Sequence, residues 1–403
     1  MKGLINIKDN NKIHIVEPRT YYCWFDHNNY INCVSRPYYS IDDINTIDDI
    51  NTINDINQNN NIIECNNTKM ENIYEKIRTL FTNSVIERMQ SNREIGCLLS
   101  GGLDSSLVSA IAAKELSKKG IKLRTFSIGM KDSPDVKYAK IVAEHIGSIH
   151  QNFEIPNDEW INNLDEVIRI SETFDVTTIR ATTGQYLISK KISQETNIKV
   201  LLIGDGSDEL TAGYLYFHKT PNSNELDLEC KRLLKDIHCY DVLRADRGIA
   251  SNGLEARVPF LDNKFVENYL KIDSIFRIPH IHNDKKYEKY LLRKSFENTN
   301  LLPECILWRR KEAFSDGVSS ETKSWYEIIQ DNINEKMTDE YFNENIKKYE
   351  GFLIPKTKEA LYFHEIYDKY YPNQNHIIKY YWMPKWIEVK NNDPSARTLD
   401  IYK

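Results

Sequence analysis

Apolar positions along the middle of the chain alternate between helix-like spacing and short strand-like runs. Helical spacing over 69–90 leads into an apolar run at 95–99, and further runs at 122–128, 149–155 and 200–204 lie beside helix-like stretches. The last run is apolar throughout, which is typical of a buried parallel strand. Strands that alternate with helices predict an α/β fold with a doubly wound parallel sheet, and ligands of such sheets bind at the carboxyl ends of strands.

The two ends of the chain follow other patterns. Alternating runs at 12–16 and 19–25 predict a few β-strands. Residues 41–68 repeat Ile-Asp-Asp-Ile-Asn-Thr and continue into an asparagine run. This composition is typical of a low-complexity linker, and the alternative is an insertion without a role. Beyond Asn263 the pattern is mostly helical. We therefore divide the chain into a small β segment (1–40), a low-complexity linker (41–68), a main domain (69–390) and a tail (391–403).

Composition narrows the classes of function. The 403 residues carry a net charge of −6, with a pI near 6.0, whereas a sequence-independent nucleic-acid binder would be basic. The seven cysteines form no Cys-x-x-Cys pair, so the spacing indicates neither a zinc site nor a disulfide framework. Neither a signal peptide nor a run of eighteen apolar residues is evident. We expect a soluble cytoplasmic protein without a nucleic-acid or membrane partner.

The stretch Ser-Gly-Gly-Leu-Asp-Ser-Ser, Ser100 to Ser106, connects the apolar run at 95–99 to a helix-like segment. Glycines let backbone approach an anion, while serine hydroxyls and a helix N-terminus direct donors at it. Bare phosphate would repel Asp104, so its carboxylate fits a Mg²⁺ ion that bridges to a polyphosphate. The alternative is a helix N-terminus capped by Asp104 or a serine. The loop lacks the lysine of the P-loop motif, so its chemistry should differ from γ-phosphate transfer.

A second glycine-rich stretch, Gly-Asp-Gly-Ser-Asp-Glu-Leu-Thr-Ala-Gly-Tyr, follows the apolar run at 200–204. It places Asp205, Asp208 and Glu209 at a strand end. Since adjoining strand ends meet at one edge of a sheet, we expect Asp104 and Asp208 to lie within about 8 Å of each other and to share Mg²⁺. The alternative is a solvated acidic turn that opens a helix.

From about Lys69 to near its end, the sequence resembles the synthetase domain of glutamine-dependent asparagine synthetases. The matching stretches are LLSGGLDSSLVSAI, FSIGMKDSPDVKYAKIVAEHIGSIH, ETFDVTTIRATTGQYLISKKI, GDGSDELTAGYLYFHKTPN, LEARVPFLD and RRKEAFSDGVSS. The resemblance implies a fold of the ATP pyrophosphatase (adenine nucleotide α-hydrolase-like) type. It also implies that the L-aspartate side chain attacks the α-phosphate of ATP, pyrophosphate leaves, and ammonia converts β-aspartyl-AMP to asparagine and AMP.

The same resemblance assigns roles residue by residue. It implies that Asp205 and Lys311 are catalytic and that Asp104 and Asp208 bind Mg²⁺. It implies an aspartate-binding group of Thr177, Thr178 and Arg180. The residues expected at ATP or pyrophosphate are Leu98, Ser100, Gly101, Gly102, Asp104, Ser105, Ile128, Ile203 and Gly204. From spacing alone, ordinary core is an alternative for the strand-end residues, and a solvated basic run is the commoner explanation for a lysine such as Lys311.

The sequence departs from the family pattern at two places. Asp205 stands where the family usually has Glu, a residue thought to deprotonate the ammonia nucleophile, and base catalysis depends on reach. The family's glutaminase domain starts with a Cys at position 2, where this chain has Lys2, and residues 13–40 resemble only the end of that domain. We therefore expect nitrogen to come from ammonia, or from glutamine through a separate glutaminase subunit. The sequence leaves the oligomeric state open, and a homodimer is one possibility.

Three other functions stay open from the sequence. A related amide ligase of the β-lactam synthetase type would share the chemistry, although it usually carries Tyr at the place of Asp205. A catalytically weakened nucleotide-binding remnant would explain the shorter carboxylate. An ATP-dependent tRNA-modifying enzyme would share the Ser-Gly-Gly-x-Asp-Ser stretch, but it should present a basic face.

Overall fold

The computed structural model describes residues 17–27, 30–37, 39–44, 60–389 and 392–402. Near the N-terminus, strands β1 (Thr20–His27) and β2 (Tyr30–Pro37) pair in an antiparallel hairpin in which Cys23 lies opposite Val34. The strand predicted at 12–16 falls outside the described residues. Helix α1 (Asn60–Arg88) begins nine residues before the helical spacing predicted it, inside the segment interpreted as a linker.

The strands and helices that follow α1 fall into two groups. The first contains β3 (Ile95–Leu98), α2 (Leu103–Ser117), β4 (Arg124–Gly129), α3 (Pro134–Ile146), β5 (Ile149–Glu154), α4 (Asn157–Asn162), α5 (Leu164–Ser171), α6 (Val176–Glu195), β6 (Val200–Leu202), α7 (Ser207–Leu210), α8 (Ser223–Asp236), α9 (Asp241–Ala250) and β7 (Glu255–Arg257). The second contains α10 (Asn263–Leu270), β8 (His280–His282), β9 (Lys285–Tyr287), α11 (Tyr290–Phe296), α12 (Glu304–Leu307), α13 (Phe314–Gly317), α14 (Trp325–Lys336), α15 (Asp339–Asn345) and α16 (Lys358–Tyr370).

The central sheet has five parallel strands in the order β5-β4-β3-β6-β7. The chain therefore runs outward from β3 in one direction, returns, and runs outward in the other, which is the doubly wound topology that the alternating pattern predicted. Strand β7 was not predicted, because its three residues, Glu-Ala-Arg, lack an apolar run. The reversal lies between β3 and β6, and both glycine-rich stretches begin at the carboxyl ends of these two strands.

Helices cover both faces of the sheet. Successive side chains of a strand point to opposite faces, so Leu201 belongs to one core cluster and Leu202 to the other. The first cluster includes apolar residues of α5, α6, α14 and α16, and the second includes those of α1, α2, α3 and α11. The crevice at the reversal is thus held between two packed layers, which fix the positions of the loops that line it.

The C-terminal segment is packed on the main domain. Asp393 forms an ion pair with Arg180 of α6, and Arg397 forms one with Glu312. Residues 394–396 line the same crevice as the two glycine-rich loops. The segment interpreted as a tail is therefore one wall of the crevice over its described part. Among the helices of the described ranges, none is both long enough and apolar enough to cross a membrane.

Candidate active site

The loop after β3 is shaped by its own serines. Ser105 Oγ accepts the Ser100 N–H at 3.2 Å and lies 3.1 Å from Ser100 Oγ, while Ser100 Oγ accepts the Gly102 N–H. Gly101 has a φ of +74°, and a Cβ there would lie 2.4 Å from the Ala139 nitrogen, so the bend requires glycine. The chain enters α2 at Gly102 without a side-chain cap, which leaves the first N–H groups of the helix for another acceptor.

Two carboxylates and two ammonium groups meet where the two loops adjoin. Lys289 Nζ lies 2.6 Å from Asp104 Oδ2 and 2.5 Å from Asp208 Oδ1, so these two oxygens are at most about 5 Å apart. Lys311 Nζ lies 2.6 Å from Asp208 Oδ2. Ser207 Oγ donates to Asp104 Oδ1 at 2.8 Å. The structure therefore brings Asp104 and Asp208 together on one side of the sheet, as the sequence predicted.

Mutual charge sets the protonation of this cluster. Burial disfavours ionisation of Asp208, but the ammonium groups of Lys289 and Lys311 hold its pKa well below the ordinary value. Burial likewise disfavours the charged form of Lys311, and the neighbouring Asp208 and Asp104 nevertheless raise its pKa to about 12. Two carboxylates this close, beside a glycine-rich loop and a helix N-terminus without a side-chain cap, are a donor set that fits Mg²⁺ together with phosphate oxygens.

Asp205 lies beside this cluster and lines the crevice. Its Oδ1 accepts a hydrogen bond from Gln185 Nε2 at 2.9 Å and lies 4.0 Å from Arg244 Nε. Burial raises the pKa of Asp205, whereas Arg244 and the Gln185 bond oppose that shift and Asp208 adds to it. A crevice carboxylate with a raised pKa suits a proton acceptor, because a higher pKa makes the carboxylate a stronger base.

A second acidic residue with a raised pKa, Glu209, follows Asp208 directly in the chain. Glu209 is 3% exposed and accepts a hydrogen bond from the Tyr214 hydroxyl, while its Oε2 has no partner. Burial and the charge of Asp208 raise the pKa of Glu209 to about 7. A carboxyl group with a pKa of about 7 is partly protonated at neutral pH, so Asp208 and Glu209 together carry fewer than two negative charges there.

The strand-end residues expected at adenosine line the apolar part of the same crevice. Leu98, Ile128, Ile203 and Gly204 are joined there by Phe126 and by Ile188 of α6. Each of the four lies within two residues of the carboxyl end of β3, β4 or β6. A flat, largely apolar group such as a purine fits a wall of this kind.

Of the three residues expected at the substrate aspartate, two line the crevice and one does not. Thr177 lines the crevice, and its buried Oγ1 has no hydrogen-bond partner. Thr178 is fully buried, donates to Asp175 Oδ2 at 2.7 Å and is not among the crevice residues. Arg180 lines the crevice but is 3% exposed, with Nε donating to Glu359 at 2.8 Å and Nη1 to Asp393 at 2.9 Å.

This arrangement gives Arg180 a structural role in the present conformation. Its Nη2 also donates to Glu359 and to Asp393, so all three guanidinium nitrogens contact carboxylates of the chain itself. Thr178 likewise serves helix α6, because Asp175 caps that helix through its bond to the Thr178 N–H. Contact of either residue with a substrate stays a prediction. Gly101 also lies outside the crevice lining, since its role is the bend of the loop.

Comparison with known proteins bears on this crevice. The family model described as Asparagine synthase matches residues 76–231 and 220–389, which contain both glycine-rich loops and Lys311. The chain belongs to the asparagine synthase family. The resemblance read from the sequence is thus confirmed.

Relatives within the asparagine synthase family match the same part of the chain. The asparagine synthetase [glutamine-hydrolyzing] of Gallus gallus is 50% identical over 336 residues, and that of Homo sapiens is 48% identical over 337 residues. Each match covers 83% of this chain, which spans 59% of the length of these relatives. Among solved structures, an NMN synthetase from Francisella tularensis matches with 12% identity and a TM-score of 0.31, covering 78% of this chain and 98% of that chain.

Sequence reasoning missed three residues of this asparagine synthase crevice. Lys289 lies in a left-handed conformation (φ 56°) just before α11, and Gly213 leaves room for it, because a Cβ there would overlap Lys289 Cε. Arg309 donates to Asp135 at 2.7 Å and stacks on the Tyr138 ring. Gln185 sits within a predicted helix. None stands in a glycine-rich loop of a strand end. The available signals were that Arg309 is close to Lys311 in the basic run and that Gln185 lies in a stretch that resembles the family.

Proposed function

We propose that this chain forms L-asparagine from L-aspartate and ammonia, with conversion of ATP to AMP and pyrophosphate. The observation that carries the proposal is the cluster in which Lys289 and Lys311 converge on Asp104 and Asp208 beside the Ser100–Ser105 loop. Positive charge and loop donors are what attack on a phosphate requires, since negative charge develops on the phosphate oxygens. Membership of the asparagine synthase family supports the choice of substrates.

In the first step, an oxygen of the aspartate side chain bonds to the α-phosphorus, and the bond to the leaving pyrophosphate breaks. The Ser100–Ser105 loop and the N-terminus of α2 would hold pyrophosphate, and Lys311 would stabilise charge on the reacting phosphates. Asp104 and Asp208 would hold Mg²⁺, which neutralises polyphosphate charge when bound. Thr177, with its unpaired hydroxyl, would contact the aspartate substrate.

In the second step, ammonia bonds to the activated carboxyl carbon and AMP leaves with the electron pair of the broken C–O bond. The nitrogen then carries one proton too many. Asp205 would accept it, since its carboxylate lines the crevice and burial raises its pKa. The products are asparagine and AMP, so atoms and charge balance without another reactant.

The decisive experiment incubates the purified chain with ATP, Mg²⁺, aspartate and ammonium, and quantifies asparagine, AMP and pyrophosphate. The proposal requires the three products in equal amounts, and their formation must depend on aspartate. ADP and phosphate as products, or pyrophosphate release that does not need aspartate, would contradict it. A reaction arrested at pyrophosphate release, with no asparagine at any ammonium concentration, would instead favour the weakened remnant.

A further inference from the structure

The amide of Gln185 lies at a point of the crevice for which neither the motifs nor the family gave a role. Gln185 is on α6, is 4% exposed and lines the crevice together with Asp205. Its Nε2 donates to Asp205 Oδ1 at 2.9 Å. Its Oε1 is buried and has no hydrogen-bond partner.

The chemistry of the pair fixes the direction of the amide. An ionised carboxylate only accepts hydrogen bonds, so the NH₂ end of the amide must face Asp205 and the carbonyl end must face away from Oδ1. A buried carbonyl oxygen without a hydrogen-bond donor destabilises the folded protein. Such groups are rare in proteins unless a ligand or a water molecule supplies the donor. The unpaired Oε1 is therefore an acceptor beside the group that is proposed to take the proton.

Ammonia is a ligand that matches these acceptors. Its lone pair must point at the carbonyl carbon it attacks, so its three N–H groups point away from that carbon and need acceptors behind it. The Asp205 carboxylate and Gln185 Oε1 offer acceptors from two elements, the loop after β6 and helix α6. We propose that Gln185 holds the short Asp205 side chain in place and that its Oε1 completes the site that receives ammonia; this inference rests on the proposed function.

Charges around Asp205 make the contribution of Gln185 measurable. Arg244 of α9 and the Gln185 amide favour the ionised form of Asp205, and Asp208 of α7 disfavours it. Loss of the amide donor should therefore raise the pKa of Asp205. The acidic limb of the pH profile for asparagine formation should then move to higher pH, a change that a purely structural defect would not produce.

The test compares Gln185→Met with the native chain, because methionine preserves volume while removing donor and acceptor. We expect the ammonium concentration for half-maximal asparagine formation to rise about tenfold, as for loss of one hydrogen bond to a charged group, and the acidic limb to move upward. Aspartate-dependent pyrophosphate release without ammonium should change less than about twofold. Gln185→Glu, which replaces the donor by a second carboxylate, should move the limb further upward.

Gln151→Met is the matched control. Gln151 also donates to a carboxylate at 2.9 Å, that of Glu195, but does so outside the crevice. It should keep the native ammonium dependence and pH profile. If the native chain makes asparagine and Gln185→Met has the same ammonium dependence and pH profile, this inference is overturned and the proposed function stands. A native chain that makes no asparagine would overturn both.

Discussion

Lys289 connects the two glycine-rich loops of the crevice through ion pairs. Its side chain is 1% exposed, and its ammonium group contacts both Asp104 and Asp208, so it offsets the charge repulsion between the two loops. Under the proposed function, the same ammonium would contact phosphate oxygens of the nucleotide. Its position depends on backbone that no local motif specifies, a left-handed residue at the start of α11.

Lys289→Met should lower the rate of aspartate-dependent pyrophosphate release about a hundredfold, because an aligned charged donor in a water-poor site is lost. The rate is measured with ATP and aspartate at saturation. Lys285→Met, four residues earlier at an exposed position of β9, is the control and should stay within about twofold of the native rate. Equal rates in both variants would show that Lys289 serves only as the charge partner of Asp104 and Asp208.

The resemblance implies that Asp205 stands where the family usually carries Glu. Its carboxylate is one methylene shorter than that of the usual Glu, so Asp205→Glu should increase the rate of asparagine formation at limiting ammonium, while pyrophosphate release changes less. Separate measurement of the two products checks this. A lower asparagine yield in Asp205→Glu would mean that the surroundings, Gln185 above all, are fitted to the shorter side chain.

That alternative can be resolved by combining substitutions. If Gln185 is needed because Asp205 is short, then Gln185→Met should lower the rate of asparagine formation by a smaller factor in an Asp205→Glu background than in the native chain. Two residues in hydrogen-bond contact are expected to show such non-additivity. Additive losses would mean that the two side chains act independently on ammonia.

At the scale of elements, helix α16 contains a buried histidine with no role in the crevice. His364 is fully buried between the rings of Phe174 and Tyr349, and its ring centroid lies 3.9 and 3.8 Å from theirs. Burial lowers the pKa of His364 from 6.5 to about 4. The folded state therefore binds its proton less readily than the unfolded state does.

This difference predicts an acid sensitivity with a defined sign. The stabilising effect of neutral His364 is present above pH 6.5 and is lost as the pH falls toward 4, so the free energy of unfolding should fall by about 2 kcal/mol between pH 7 and pH 5. His364→Phe should remove that part of the slope in urea titrations. His145→Phe, at an exposed position of α3, should retain it. Parallel slopes for His364→Phe and the native chain would refute the assignment.

The segment 392–402 is held to α6 mainly through Arg180. Asp393→Ala should lower the free energy of unfolding by about 2 kcal/mol, because hydrogen bonds between buried charged groups are lost while Glu359 still pairs with Arg180. Protease cleavage near the C-terminus should become faster. Asp331→Ala, which breaks the exposed pair with Lys323, should change stability by less than about 0.5 kcal/mol. Unchanged cleavage of Asp393→Ala would show that other contacts fix the segment.

The elements that sequence could predict are those with a strong local pattern. The run at 200–204 is apolar at every position before Gly204, so β6 was identified, and the run at 149–155 agrees with the bounds of β5 within a residue. Strand β7 was missed because its pairing with β6, rather than its composition, makes it a strand. Gln185 and Lys289 were missed for the same reason, since each gains its role only when distant segments meet.

At the scale of the whole molecule, the crevice joins parts of the chain that are far apart in sequence. The loop after β3, the loop after β6, Lys289, Lys311 and residues 394–396 all line it. Two core clusters back these parts on opposite faces of the sheet. A ligand that contacts all of them should therefore stabilise the entire fold rather than one element, because it binds only when the layers are assembled.

Pyrophosphate with Mg²⁺ is the simplest such ligand and does not require turnover. At a concentration of about 100 times its dissociation constant it should add about 2.7 kcal/mol to the free energy of unfolding, and chelation of the metal should abolish the gain. Asp208→Asn should lose most of this stabilisation, since one of the two carboxylates that face the proposed Mg²⁺ position is neutralised. Asp246→Asn, at an exposed position of α9, should retain it. Pyrophosphate that stabilises the native chain equally with and without Mg²⁺ would mean that Lys289 and Lys311 alone hold the anion, and that the two carboxylates serve only to position these lysines.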